Sequence, residues 1–145
     1  MNILVLNGPN LNLLGLREPT IYGHETYEDL CEMIRQNAQT MGVTVSFYQS
    51  NHEGALVDAI QEARGNIDGI VINPGAYTHT SVALLDVVKA VSIPTVEVHI
   101  SDPDTREEFR KISYIRQGCV ATVKGKGFAG YVEAMEILAK GHSGE

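Results

Sequence analysis

Two periods of apolar residues run along the chain. Met1–Leu6 is a short apolar run that reads as a buried strand. From Tyr27, the residues Leu30, Cys31, Ile34, Ala38 and Met41 follow the i, i+3, i+4, i+7 spacing of an amphipathic helix. Thr26 with Asp29 predicts a capping box at its start, and Gly42 a stop at its end. Val43–Gln49 alternates as a strand, with Val43, Val45 and Phe47 on one face. Leu56, Ala59, Ile60 and Ala63 give a second helix ending before Gly65, and Gly69–Ile72 is a wholly apolar, central strand. Ser81 caps a third helix with Leu84, Leu85, Val88 and Val91 inward. Pro94–Ile100 reads as a fourth strand with a charge, Glu97, inside it. Arg106–Tyr114 is expected as a short polar helix, Cys119–Val123 as a fifth strand, and Phe128, Tyr131, Met135 and Leu138 as the stripe of a last helix.

Five such strand–helix units predict an α/β fold, an open five-stranded parallel sheet covered by helices on both faces. The common order for five strands is 2-1-3-4-5, which places ligands at the carboxyl ends of strands 1, 3 and 4. One catalytic domain over residues 1–140 is expected, with 141–145 as a flexible tail. Between the first strand and the first helix lies a loop from Asn7 to Gly23, broken by Gly8, Pro9, Gly15 and Pro19 and carrying Arg17 and Tyr22. Loops of that length in a compact domain are usually functional.

Composition narrows the chemistry. At 145 residues and 43% apolar content the chain is an ordinary globular domain. A net charge of −7 argues against nucleic acid and anionic membrane surfaces as partners, so an anionic ligand needs locally clustered arginines. No apolar run reaches a membrane span, and Met1 leads into a strand with no basic leader, which predicts a cytoplasmic protein. Cys31 and Cys119 read as reduced, small core residues.

The three strand ends bring polar groups together: Asn7 and Asn10, then Asn73 to Ser81 with His79, then Glu97, His99 and Ser101, with Arg17, Arg106 and Arg110 in nearby loops. His79 and His99 could hold zinc but lack a convincing third ligand, so no metal is expected. There is no Gly-x-Ser-x-Gly elbow and no Gly-x-Gly-x-x-Gly after strand 1. Response-regulator chemistry needs carboxylates where Asn7 and Asn73 stand. What remains is acid–base work without a cofactor, on a small polar molecule bearing a carboxylate.

The stretches Ile3-Leu-Val-Leu-Asn-Gly-Pro-Asn-Leu-Asn-Leu-Leu-Gly15, Arg17-Glu-Pro-Thr-Ile-Tyr-Gly23, Asn73-Pro-Gly-Ala-Tyr-Thr-His-Thr-Ser81, Glu97-Val-His-Ile-Ser101 and Arg106-Glu-Glu-Phe-Arg110 closely resemble type II 3-dehydroquinate dehydratase. The resemblance runs the length of the chain. It implies a flavodoxin-like fold, a dodecamer built as a tetramer of trimers, no cofactor, and dehydration of 3-dehydroquinate to 3-dehydroshikimate in the shikimate route or in quinate breakdown. By motif position it makes Tyr22 the base, Arg17 its partner on a mobile lid, and His99 the general acid oriented by Glu97. Asn10 would hold the water that stabilises the enolate oxygen, and Asn73 would position substrate and acid. The amides of Ile100 and Ser101, with the Ser101 hydroxyl, would take the carboxylate. His79 and Arg110 would grip ring hydroxyls, and Asp86 would reach in from a neighbouring subunit. The alternative is a non-catalytic binding or regulatory module that keeps the pocket.

That chemistry suits these residue types. The substrate is a β-hydroxy ketone, so loss of a proton beside the carbonyl gives an enolate from which the hydroxyl departs as water. A free phenol is only about one part in a thousand ionised at pH 7, and a desolvated arginine beside it favours the phenolate. The leaving hydroxide needs a proton, which a histidine can carry near neutral pH.

Overall fold

In the computed structural model, the segments of period two form one sheet. The structure describes residues 1–16, Thr20 and residues 24–143. The strands are β1 (Asn2–Asn7), β2 (Thr44–Gln49), β3 (Gly69–Asn73), β4 (Thr95–His99) and β5 (Ala121–Lys124). All neighbours pair in parallel in the order β2-β1-β3-β4-β5, the order expected of five βα units. The α-helices are α1 (Tyr27–Met41), α2 (Glu53–Glu62), α3 (Val82–Val91) and α4 (Ala129–Ser143).

Strand alternation divides the core. Ile3, Val5, Val71, Val96 and Val98 pack against Leu30 and Ile34 of α1 and Tyr131, Met135 and Leu138 of α4. Leu4, Leu6, Ile70 and Ile72 pack on the other face against Leu56 and Ile60 of α2 and Leu84, Val87 and Val88 of α3. Because β1 and β3 are buried on both faces, their sequences are nearly continuous apolar runs, whereas β4, equally buried, carries Thr95, Glu97 and His99 among its valines. The helix ends follow local chemistry. Thr26 Oγ1 accepts from the Asp29 amide at 3.1 Å, and Asp29 Oδ2 accepts from the Thr26 amide at 2.9 Å. Gly42 closes α1 with φ 74°, and Ser81 Oγ accepts from the Leu84 amide at 2.9 Å to open α3.

One expectation needs correction. Between β4 and β5 there is no polar helix but a chain of 3₁₀ turns, Pro103–Thr105, Glu108–Lys111 and Ile115–Gly118. The segment 106–114 has no apolar stripe to bury, since Phe109 and Ile112 are 62% and 54% exposed, and packing is what stabilises most helices. Its charges pair instead at i, i+3, Arg110 with Glu107 and Lys111 with Glu108. Of the stretch expected as a tail, residues 141–143 continue α4 and 144–145 lie outside the described residues.

The alternation also decides which polar side chains meet. Asn7 and Asn73 stand opposite each other in the β1–β3 register and share the face of Ile3 and Val71, toward α4. There the wholly buried Tyr131 donates its hydroxyl to Asn7 Oδ1 at 2.7 Å and accepts from Asn73 Nδ2 at 2.9 Å. Gly8 then turns so tightly that a Cβ would sit 2.5 Å from the Pro74 carbonyl oxygen. Leu11 and Leu14, both buried, anchor the start of the long loop, each burial worth about 1.5–3 kcal/mol. Tyr131→Phe should keep the ring's packing but strand two buried amide groups. A loss of about 1–3 kcal/mol in denaturant unfolding is the expected outcome.

Candidate active site

At the carboxyl ends of β3 and β4 lies a small cavity. It is lined by Leu11, Asn73, His79, His99, Ile100, Ser101, Arg106 and Arg110, among others. A wider depression between β2 and α2 gathers Asp58 and Glu62 with no histidine or arginine among its described residues, and so lacks acid–base partners near neutrality. The chain's acidity is reversed at the smaller cavity, where Arg106, Arg110 and two histidines converge.

Glu97 organises this end of the sheet. It alternates with Val96 and Val98, so its side chain leaves the sheet on the face opposite theirs, and it is 0% exposed. Oε2 accepts from His99 Nε2 at 2.5 Å and from the hydroxyls of Thr78 and Ser113, each at 2.8 Å. Oε1 accepts from Arg116 Nε and the Thr122 hydroxyl, both at 3.0 Å. Burial pushes this carboxyl up, but the hydrogen bond and charge of His99, then Arg116 and Ser113, override it and hold the group well below the usual carboxylate range. Since an ionised carboxylate only accepts, His99 Nε2 carries a proton. The ring's Nδ1 is thereby left for a ligand, and His99, 7% exposed, lines the cavity.

His79 is fixed in the opposite sense. Its Nδ1 lies 2.6 Å from the Ile112 carbonyl, which can only accept, so Nδ1 carries the hydrogen and Nε2 of the neutral ring is an acceptor. Burial, opposed by that carbonyl and assisted by the charges of His99 and Arg110, lowers its pKa and favours the neutral form. Beyond His99, the chain turns so that the Gly125 amide binds the carbonyls of His99 and Ser101, each at 3.2 Å, and the Gly127 amide binds that of Ile100 at 3.0 Å. With these carbonyls engaged on the β5 side, the amides of Ile100 and Ser101 are suited to an anion at the cavity. Arg110, which also lines it, is steadied by Glu107.

Six of the expected site residues therefore line one cavity, His99, Asn73, His79, Ile100, Ser101 and Arg110, and Glu97 lies directly behind them. Asn73 is engaged more tightly than its position before proline suggests. Its Oδ1 accepts from the Gly75 amide at 3.1 Å while its Nδ2 holds Tyr131. Asn10 does not line the cavity; it is exposed at φ 70°, with its amide held by Asn51 Oδ1 at 3.0 Å. Asp86 is not brought to it either. It is exposed on α3, beside Arg64 and Gln61 of the neighbouring segment. Arg17 and Tyr22 lie outside the described residues. Tyr27, whose hydroxyl accepts from Asn7 Nδ2 at 3.4 Å, has its pKa pushed up to about 12 by burial against that weaker opposing hydrogen bond, which suits it poorly to accept a proton near pH 7.

The chain matches the family model for dehydroquinase class II over residues 1–139. It belongs to that family. It is 57% identical over 140 residues to 3-dehydroquinate dehydratase 1 of Corynebacterium efficiens, covering 97% of this chain and 93% of the relative. It is 53% identical to a catabolic 3-dehydroquinase of Aspergillus clavatus, covering 95% and 92%. The crystal structure of a type II dehydroquinase from Butyrivibrio crossotus superposes with a TM-score of 0.94 at 53% identity, covering 96% of this chain and 97% of that one. Within this dehydroquinase, Thr78, Ser113, Arg116, Thr122 and Tyr131 are polar partners that the sequence alone did not single out. Thr78 sits inside the Asn73–Ser81 motif, but Tyr131 looks like one more member of an apolar helical stripe.

The depressed carboxyl of Glu97 makes stability depend on pH. A group with a lowered folded pKa stabilises the fold above its unfolded value, here 4.5, and loses that contribution as pH falls below it. Glu97→Gln should therefore flatten the decline in unfolding free energy between pH 4.5 and the acid limit, measured by denaturant titration at stepped pH.

Proposed function

We propose that this chain is a type II 3-dehydroquinate dehydratase, a hydro-lyase that forms 3-dehydroshikimate and water. The observation that carries the reading is the oriented His99–Glu97 pair in a cavity lined by Arg110 and Arg106, in a chain that belongs to the dehydroquinase family. Tyr22, as phenolate favoured by Arg17, removes the proton beside the ketone, and the electron pair becomes an enolate. Asn10 holds the water that stabilises the enolate oxygen. The enolate collapses with anti loss of the hydroxyl, which takes a proton from His99 Nδ1 and leaves as water. The ring nitrogen facing the substrate follows from Nε2 being held by Glu97.

Substrate binding uses the remaining groups. The carboxylate sits against the amides of Ile100 and Ser101 and the Ser101 hydroxyl, the neutral His79 accepts a ring hydroxyl at Nε2, and Arg110 grips the ring. Asn73, clamped by Tyr131, sets the floor. Asp86 acts on a neighbouring copy in a trimer, four of which make a dodecamer; its exposed place on α3, away from its own cavity, supports that assignment. Among the described residues no helix is long and apolar enough to cross a membrane, and a cytoplasmic enzyme that needs no cofactor completes the reading.

Turnover of 3-dehydroquinate, followed as enone absorbance, separates this reading from a binding module that merely keeps the pocket. Tyr22→Phe should lower kcat by about 10²–10⁴-fold with a smaller change in KM, the range for loss of a general base. Arg110→Ala should act mainly on KM. Retention of most kcat by the phenylalanine variant would move the base elsewhere.

The intermediate can be tested separately. Among the described residues no lysine lines the cavity, so elimination through a lysine imine has no group to form it. Borohydride added with substrate should leave the protein active and its mass unchanged. A reduced adduct on lysine would rule out the enolate route.

A further inference from the structure

Glu97 is held between two side chains able to carry positive charge, one on each oxygen. His99 binds Oε2 at 2.5 Å, and Arg116 binds Oε1 at 3.0 Å from the turn before β5. The carboxylate is fully buried, whereas the arginine side chain is 35% exposed, so its charge costs less to keep than a second buried one would. The reaction proposed above uses His99 and Glu97 but gives Arg116 no part.

The dehydratase reading, on which this inference rests, requires His99 to surrender a proton in every turnover. Were His99 the sole cationic partner of Glu97, each transfer would strand an uncompensated buried carboxylate, and the acid would hold its proton. We propose that Arg116 is a positioning residue for the general acid, keeping Glu97 charge-compensated whether or not His99 is protonated. An arginine can do this because it stays charged throughout the working pH range.

The surrounding groups leave that task to Arg116. On the cavity side stand His79, whose burial favours its neutral form, together with Arg106 and Arg110, and Arg110 is drawn to Glu107. Lys124 lies opposite His99 in the β4–β5 register but is occupied by Asp104 and Asp102. Cys119, beyond the Arg116 turn, is pushed up to about 12 by burial and then by the charge of Glu97, so it remains a neutral thiol. The hydroxyls of Thr78, Ser113 and Thr122 give Glu97 hydrogen bonds but no charge.

The test compares Arg116→Gln, which keeps a hydrogen-bond donor and drops the charge, with Arg116→Lys, which keeps the charge on a stem long enough to reach Glu97. For each, kcat and KM for 3-dehydroquinate are measured from pH 5 to pH 10, and His99 is titrated by NMR. With less compensation the proton is held to higher pH. Arg116→Gln should therefore move the alkaline limb of the kcat profile up by about one unit, the low end of what a neighbouring charge does. Its kcat at pH 7 should fall about tenfold with KM nearly unchanged, as for an impaired general acid. Arg116→Lys should keep the wild-type limb. An unmoved limb in the glutamine variant, or equal shifts in both, overturns the proposal, since a merely structural role loses stability without moving a titration. If Arg116→Gln does not fold, Arg116→Ala with and without added ethylguanidinium replaces it; restoration of the limb by the cation supports compensation, and failure to restore it refutes it. A wild-type protein that does not turn over 3-dehydroquinate would remove the dehydratase reading, while the NMR titration of His99 would still decide the charge compensation.

Discussion

A carboxylate with no solvent exposure must be surrounded by donors, and Glu97 draws its donors from the strands and turns around β4. His99 comes from the same strand, Thr78 from the turn after β3, Ser113 and Arg116 from the turns before β5, and Thr122 from β5 itself. Removing such an ion from water costs several kcal/mol, so these segments cannot drift apart without leaving a charge unpaired. The position of the acid, and the shape of the cavity around it, are consequences of satisfying one buried charge. Of the 3₁₀ turns between β4 and β5, Ile115–Gly118 is anchored by the buried Ile115, whereas Glu108–Lys111 buries no residue, and Ser113 and Arg116 tie the stretch after it to Glu97.

The opposite face of the sheet is fastened by neutral groups. Asn7 and Asn73 meet through Tyr131, whose phenol burial pushes far up from its ordinary value, so this network carries no charge. It joins β1, β3 and α4 immediately beneath the strand ends. The two networks have different chemical consequences. The neutral one fixes geometry and is indifferent to pH, while the charged one orients an imidazole and makes stability depend on pH.

Period-two alternation keeps the two networks apart. Asn7 and Asn73 follow Val5 and Val71 onto the α1–α4 face, whereas Glu97 alternates with Val96 and Val98 and faces the other way.

The sequence by itself determined the sheet, its order, the capping of α1 and α3 and the clustering of His79, Asn73, His99, Ser101 and Arg110 at one rim. These follow from short-range rules: side-chain period, cap chemistry and the requirement that parallel strands end on the same edge. Glu97 was legible as an anomaly, a charge in a buried strand, though not the full set of groups that hold it. Arg116, Thr122, Ser113 and Tyr131 lie from 16 to 124 residues away from the side chains they bind, and no local pattern marks them. The polar helix expected at 106–114 dissolved into 3₁₀ turns because ion pairs and Glu97, rather than an apolar stripe, hold that segment. Asn10 and Asp86 sit on the right elements but outside the cavity of a single chain, since a motif fixes where a residue is in sequence and only packing fixes what its side chain can reach.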